Sequence, residues 1–162
     1  MSASTRIEPS FALDGAHRPD SVRFCSRCGH TSDERVRVCD QCGMGVVLTG
    51  MRAETALDGV AFLICTHDLT VTAVSQAGEK IFGKQDRLVG LPLLDLVTCP
   101  VGEGQLGRYA ALAALRPCDP VVLPLRLVAP QRSVGTLAAR ISTCGPPRAA
   151  LVTVEPSAFG RR

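Results

Sequence analysis

Two short stretches near the start of the chain, SVRF at 21–24 and ERVRV at 34–38, alternate apolar with polar or charged residues. A period of two sends successive side chains to opposite faces of a strand, so each predicts a short β-segment, and MGVVLTG at 44–50 predicts a third. From Met51 the texture changes. MRAETAL is a run of helix formers that Asp58-Gly59 breaks. VAFLICT and TVTAVS, joined by the turn His67-Asp68-Leu69, predict a hairpin. QAGEKIFG predicts a short helix ending at Gly83, and LPLLDLV another after Gly90, with Pro92 tolerated in a first turn. Leu106, Tyr109, Ala110, Leu112 and Ala113 recur at helical spacing within EGQLGRYAALAALR, the longest predicted helix. PVVLPLRLVA, SVGTLAARIST and RAALVTVEP complete the pattern as strands.

Two strands, several short helices and three strands, in that order, predict an α+β fold in which one antiparallel sheet carries helices on one face. The chain divides into a flexible tail (1–21), a small β-unit bearing cysteines (22–49), a linker helix (50–57), the sheet domain (58–156) and a tail (157–162). Its 162 residues suffice for one small stapled unit beside a domain of about 100 residues.

Composition changes this picture in two ways. The chain is 46% hydrophobic and 20% charged, enough apolar surface for a core, but only 4% aromatic with no Trp. The core is therefore aliphatic, and few rings remain for stacking on nucleobases. The first twenty residues contain Glu8, Pro9 and Asp14 and lack the apolar stretch of a secretion signal, and no run approaches the roughly 18 residues of a membrane span. The expectation is a soluble cytoplasmic protein whose cysteines stay reduced, so paired cysteines point to metal rather than to disulfides.

Cys25, Cys28, Cys39 and Cys42 form two Cys-x-x-Cys pairs separated by ten residues. A two-residue gap lets both thiolates of a pair reach one ion from a tight turn, and two such turns complete the tetrahedral shell of zinc. Gly29 and Gly43 each follow a pair, where the turn calls for a positive φ. A redox role would need the strand-then-helix setting of thioredoxin-like motifs, which is missing, and a rubredoxin-like iron site uses a wider separation and a ring-rich core. With four thiolates at hand, His30 reads as a loop residue. Residues 22–49 resemble the zinc-ribbon family, which implies zinc as cofactor. A closed four-thiolate shell forms the fold and leaves no open position for catalysis.

Residues 1–50 carry six Arg and six acidic residues, so this part of the chain is neutral before the metal, and the overall charge of +3 lies in residues 51–162. A phosphate-binding surface is expected to be clearly basic. Arg23, Arg27, Arg35 and Arg37 are the arginines available for a local strip. A protein partner is the first reading for the ribbon and nucleic acid the second.

From Asp58 onward, DGVAFLICTHDLTVTAVSQAGEKIFG followed by LVGLPLLDLV resembles the PAS family of sensor domains, in the placing of Asp58-Gly59, His67-Asp68, Ser75, Gly83 and Gly90. The resemblance spans about 51–156 and implies a five-stranded antiparallel sheet with helices on one face, acting in sensing or dimerisation. Pro124 falls in the third strand of this domain, which that fold places at an edge, where a residue without an N–H belongs. The family's haem members carry a His on the central helices and its light-sensing flavin members a reactive Cys there. Neither occurs here, since the histidines are His17, His30 and His67 and no Asn-Cys-Arg run lies between Ser75 and Val97. What remains is a packed core or an apolar pocket lined by Phe62, Ile64, Phe82, Leu94 and Leu125. Cys65, Cys99, Cys118 and Cys144 are scattered and read as small buried hydrophobes, Cys99 being the one expected to be exposed. No nucleophile with a base and no phosphate loop appears. The expected function is a non-catalytic signalling or transcription-regulatory module, a PAS-like sensor or dimerisation domain coupled to a ribbon that docks on a protein. The alternative is a nucleic-acid-binding regulator.

Overall fold

A computed structural model describes residues 21–32, 35–51, 57–102, 104–128 and 136–157. Apart from Ser21 and Ser157, the two expected tails, with most of the expected linker helix, lie outside the described residues; Ser21 belongs to the first strand. Within them the chain forms β1 (Ser21–Cys25), β2 (Val47–Met51), β3 (Ala61–Cys65), β4 (Val71–Val74), α1 (Gln76–Phe82), α2 (Gln85–Leu88), α3 (Leu93–Leu96), β5 (Val97–Thr98), α4 (Gln105–Leu115), β6 (Val121–Leu127), β7 (Leu137–Gly145) and β8 (Ala149–Pro156).

The strands make one antiparallel sheet in the order β1-β2-β7-β8-β3-β4, with β6 also on β7 and β5 on β6. The long strand β7 explains how this closes. Along one side it pairs with β8 from Leu137↔Pro156 to Cys144↔Ala149. Its other side is shared, β6 taking residues 137–141 and β2 taking Cys144 and Gly145 through Gly50 and Thr49. A five-stranded sheet beside a separate ribbon was expected; instead β2 continues the domain's own sheet into the cysteine unit, and the short β5 adds to its edge. Of the expected strand ERVRV, the described residues 35–38 form only the bridge Val38↔Val46. Pro124 does sit on the outer strand, where β5 covers only Arg126 and Leu127.

Helix boundaries follow the local chemistry. Ser75 caps α1, its hydroxyl accepting from the Gly78 N–H at 3.0 Å, and Gly83 ends the helix at φ 115°. The same hydroxyl donates to the Val60 carbonyl and accepts from the Phe62 N–H, so the cap also fixes α1 on β3.

Strand parity divides the interior in two. Ala61, Leu63 and Cys65 of β3, with Leu123, Leu125, Ala139, Ile141, Ala150 and Val152, face the helices and pack against Leu93, Leu106, Ala110 and Ala113. Phe62, Ile64, Cys144, Ala149 and Leu151 point to the opposite face, which Phe24, Leu48 and Leu57 cover. Phe24 meets Phe62 edge-on, with ring centroids 5.9 Å apart at 89°, a pairing worth about 1 kcal/mol beyond area burial. The aliphatic helix-side core and this small aromatic-centred one together bury both faces of β3 and β8.

Candidate metal centre

Cys25 ends β1, and the chain then turns back on itself, the Gly29 N–H donating to the Cys25 carbonyl at 3.1 Å. The second knuckle repeats the device, with the Gly43 N–H on the Cys39 carbonyl at 2.8 Å. Gly29 (φ 76°) and Gly43 (φ 69°) both take the left-handed conformation their position called for. Their N–H groups close the turns on carbonyls; other amides face the sulfurs. Arg27 N–H and Cys28 N–H lie 3.3 and 3.5 Å from Cys25 Sγ, and Gly45 N–H lies 3.4 Å from Cys42 Sγ.

The four ligand atoms of Cys25, Cys28, Cys39 and Cys42 all lie within 4.8 Å of one another. Cys25 Sγ and Cys42 Sγ are 3.7 Å apart, and Cys28 Sγ and Cys39 Sγ 3.8 Å. Sulfurs bonded at about 2.3 Å to a tetrahedral zinc stand roughly 3.8 Å apart, so the constellation fits a metal of that size and geometry. Cys25 and Cys39 are buried, whereas Cys28 and Cys42 are half-buried. Burial pushes the Cys25 thiol up and the Cys28 thiol up to about 12. Cys42 is also penalised by burial, but the N–H groups of Met44 and Gly45 and its neighbouring thiols bring it down to about 7. A bound cation favours the thiolate at all four, because ligation displaces the protons.

Gly45 was not singled out in the sequence. A Cβ built there would stand 2.1 Å from Cys25 Sγ, so this glycine makes room for a ligand twenty positions away. His30 gives the unit backbone only, its carbonyl accepting from the Cys25 N–H at 2.9 Å.

The five residues expected to line one pocket do not come together. Phe62 and Ile64 lie on the ribbon side of the sheet, while Leu125 is buried on the helix side with Phe82 packed at its margin. Leu94 is 42% exposed. The parity of β3 turns Phe62 and Ile64 away from the helices, toward which Leu63 and Cys65 point. Cys99, expected at the surface, is buried in the helix-side core, because β5 pins the preceding two residues to β6. The exposed His67-Asp68 pair forms a turn, Asp68 accepting from the Thr66 hydroxyl and from the Thr70 N–H at 3.2 Å.

No family model matches the chain, and no curated protein matches it. Among solved structures it is similar to the PAS domain of nitrogen regulation protein NR(II) from Vibrio parahaemolyticus, with a TM-score of 0.48 and 17% sequence identity over 61% of this chain and 90% of that one. No helix among the described residues is long and apolar enough to cross a membrane.

Proposed function

We propose that the protein is a non-catalytic signalling or regulatory module in which a zinc ribbon, held by Cys25, Cys28, Cys39 and Cys42, is joined to a PAS-like sensing or dimerisation domain and docks on a protein partner, in a setting such as transcription regulation. The observation that carries it is the cluster of four sulfurs with the spacing of a closed tetrahedral shell. When bound, zinc supplies the cross-link that a unit this small needs, since Phe24 and Leu48 pack on the sheet and the cluster left between the cysteine turns is only Cys25, Cys39 and Val47.

The choice of partner follows from which side chains are engaged. Arg23 donates to the Val36 carbonyl at 3.0 Å, and Arg27 meets Glu79 at 3.5 Å, so two of the ribbon's four arginines turn inward. Val38, Met44 and Val46 are exposed at its tip, Val38 and Val46 side by side across a bridge. A surface of that composition suits protein contact better than phosphate contact.

Native mass spectrometry of the purified chain tests the reading. It should give one zinc per subunit, and its subunit count reports whether the PAS-like domain dimerises. Folded, metal-free protein would overturn the ribbon. A salt titration addresses the partner: nucleic-acid binding with a steep negative slope against salt would replace the protein-docking reading with the alternative.

A further inference from the structure

We propose that the four-cysteine site governs how helix α1 is held on the sheet, so that gain or loss of the metal passes from the first knuckle to α1 and to its junction with α2. The inference depends on the metal-binding reading above and adds a consequence to it.

The connection is short. Arg27 lies between Cys25 and Cys28, and its N–H faces Cys25 Sγ at 3.3 Å. Its carbonyl accepts from the N–H of Gln76, the first residue of α1, at 2.7 Å. The first N–H groups of a helix have no partner within it. Ser75 satisfies that of Gly78, and the knuckle satisfies that of Gln76. The Arg27 guanidinium then reaches Glu79 Oε1 at 3.5 Å, both side chains being largely shielded. That same oxygen accepts from the N–H of Gln85, the first residue of α2, at 2.9 Å. One residue of the knuckle thus touches a ligand sulfur, supports the start of α1 and braces the α1–α2 junction.

The dependence is uneven across the fold. Helix α1 fully buries only Gly78, and its apolar residues Ala77, Ile81 and Phe82 pack on the helix-side core while remaining partly exposed. Helix α4 buries Leu106, Gly107, Ala110, Ala113 and Ala114 and packs on β7 and β8. The cluster that the two turns bury between them is only Cys25, Cys39 and Val47, so the metal is the cross-link that fixes the turn carrying Arg27. Losing the metal should release α1 and leave α4 where it is.

Amide hydrogen exchange read by mass spectrometry on the full chain tests this. Zinc-loaded protein is compared with the same protein after a chelator has removed zinc under reducing conditions, with native mass confirming occupancy in each sample. Exchange across residues 76–85 should accelerate about tenfold or more without zinc, while residues 105–115 keep their rates. Unchanged protection of α1 in protein that has lost its zinc overturns the proposal and leaves the ribbon standing. Simultaneous loss in α1 and α4 overturns it too, since the metal would then support the whole fold without selectivity. Failure to find zinc in the starting material sinks the ribbon reading itself.

Discussion

Gly29 lies against the carbonyl of Leu57, so close that a Cβ at position 29 would stand 2.1 Å from that oxygen. Leu57 is buried beside Phe24 and Phe62 just ahead of β3. The knuckle glycine is thus both the left-handed residue of a metal turn and the point where the cysteine unit rests on the backbone leading into the sheet.

Gly29→Ala is therefore expected to be costly on two counts, about 1–2 kcal/mol for a left-handed alanine and roughly 1–3 kcal/mol for the forced displacement of backbone. Gly43→Ala is a built-in comparison. It has the same sign of φ but nothing within 4 Å of the new atom, so only the conformational cost applies. Urea unfolding of the zinc-loaded proteins should show Gly29→Ala distinctly less stable than Gly43→Ala. Equal midpoints would mean that the Leu57 contact does not constrain the knuckle.

Gly45→Ala should act on the metal before it acts on stability. Its Cβ would meet Cys25 Sγ at 2.1 Å, and its N–H already donates to Cys42 Sγ. Outer partners of metal ligands typically contribute about 10–100-fold in affinity. Competition with a zinc chelator should show a loss of that size, and an unchanged affinity would contradict the crowding described here.

These glycines also mark what could be read from the sequence. Gly29 and Gly43 were legible because the requirement is local, a positive φ directly after a cysteine pair. Gly45 was not, because its requirement comes from Cys25, which only folding brings beside it. The joining of β2 to β7 through Thr49↔Gly145 and Gly50↔Cys144 is likewise non-local and leaves no pattern in either strand. The misplaced pocket has another cause. AFLIC is apolar without alternation since both faces of β3 are buried, so its parity has no signature, and Phe62 and Ile64 were assigned to the wrong side. Helix α2 spans only four residues, too few for a periodic signal. The ends of α1 and the paired cysteines were readable because a cap and a two-residue ligand gap are short-range chemistry.

The remaining cysteines should separate by reactivity. Burial pushes the thiols of Cys65 and Cys144 up to about 12, leaving on the order of one thiolate in ten thousand at pH 8. Cys99 is buried, and Cys118 is half-buried near Thr143. Brief treatment of the zinc-loaded protein with iodoacetamide at pH 8, followed by peptide mapping, should label Cys118 first and spare Cys65, Cys99 and Cys144. Early modification of Cys65 or Cys144 would show that β3 or the end of β7 opens readily.

The last prediction concerns acid. Glu79 is held below the usual glutamate range chiefly because the Gln85 N–H donates to it; burial opposes this, and the charges of Arg27 and Lys84 reinforce it. A carboxyl depressed in the folded state adds stability that is fully present above its unfolded value and is lost as pH falls through the lower folded one. Glu79→Gln keeps an acceptor for the Gln85 N–H but removes the charge. The wild type should exceed the variant near neutral pH by less than about 1 kcal/mol, as suits an ion pair close to the surface, and the two should converge as pH falls below the usual glutamate range. Both chains release metal as the cysteines protonate, so the difference between their urea midpoints across the pH series isolates the carboxylate. A gap that persists in acid would assign Glu79 a role in packing, independent of its charge on Arg27.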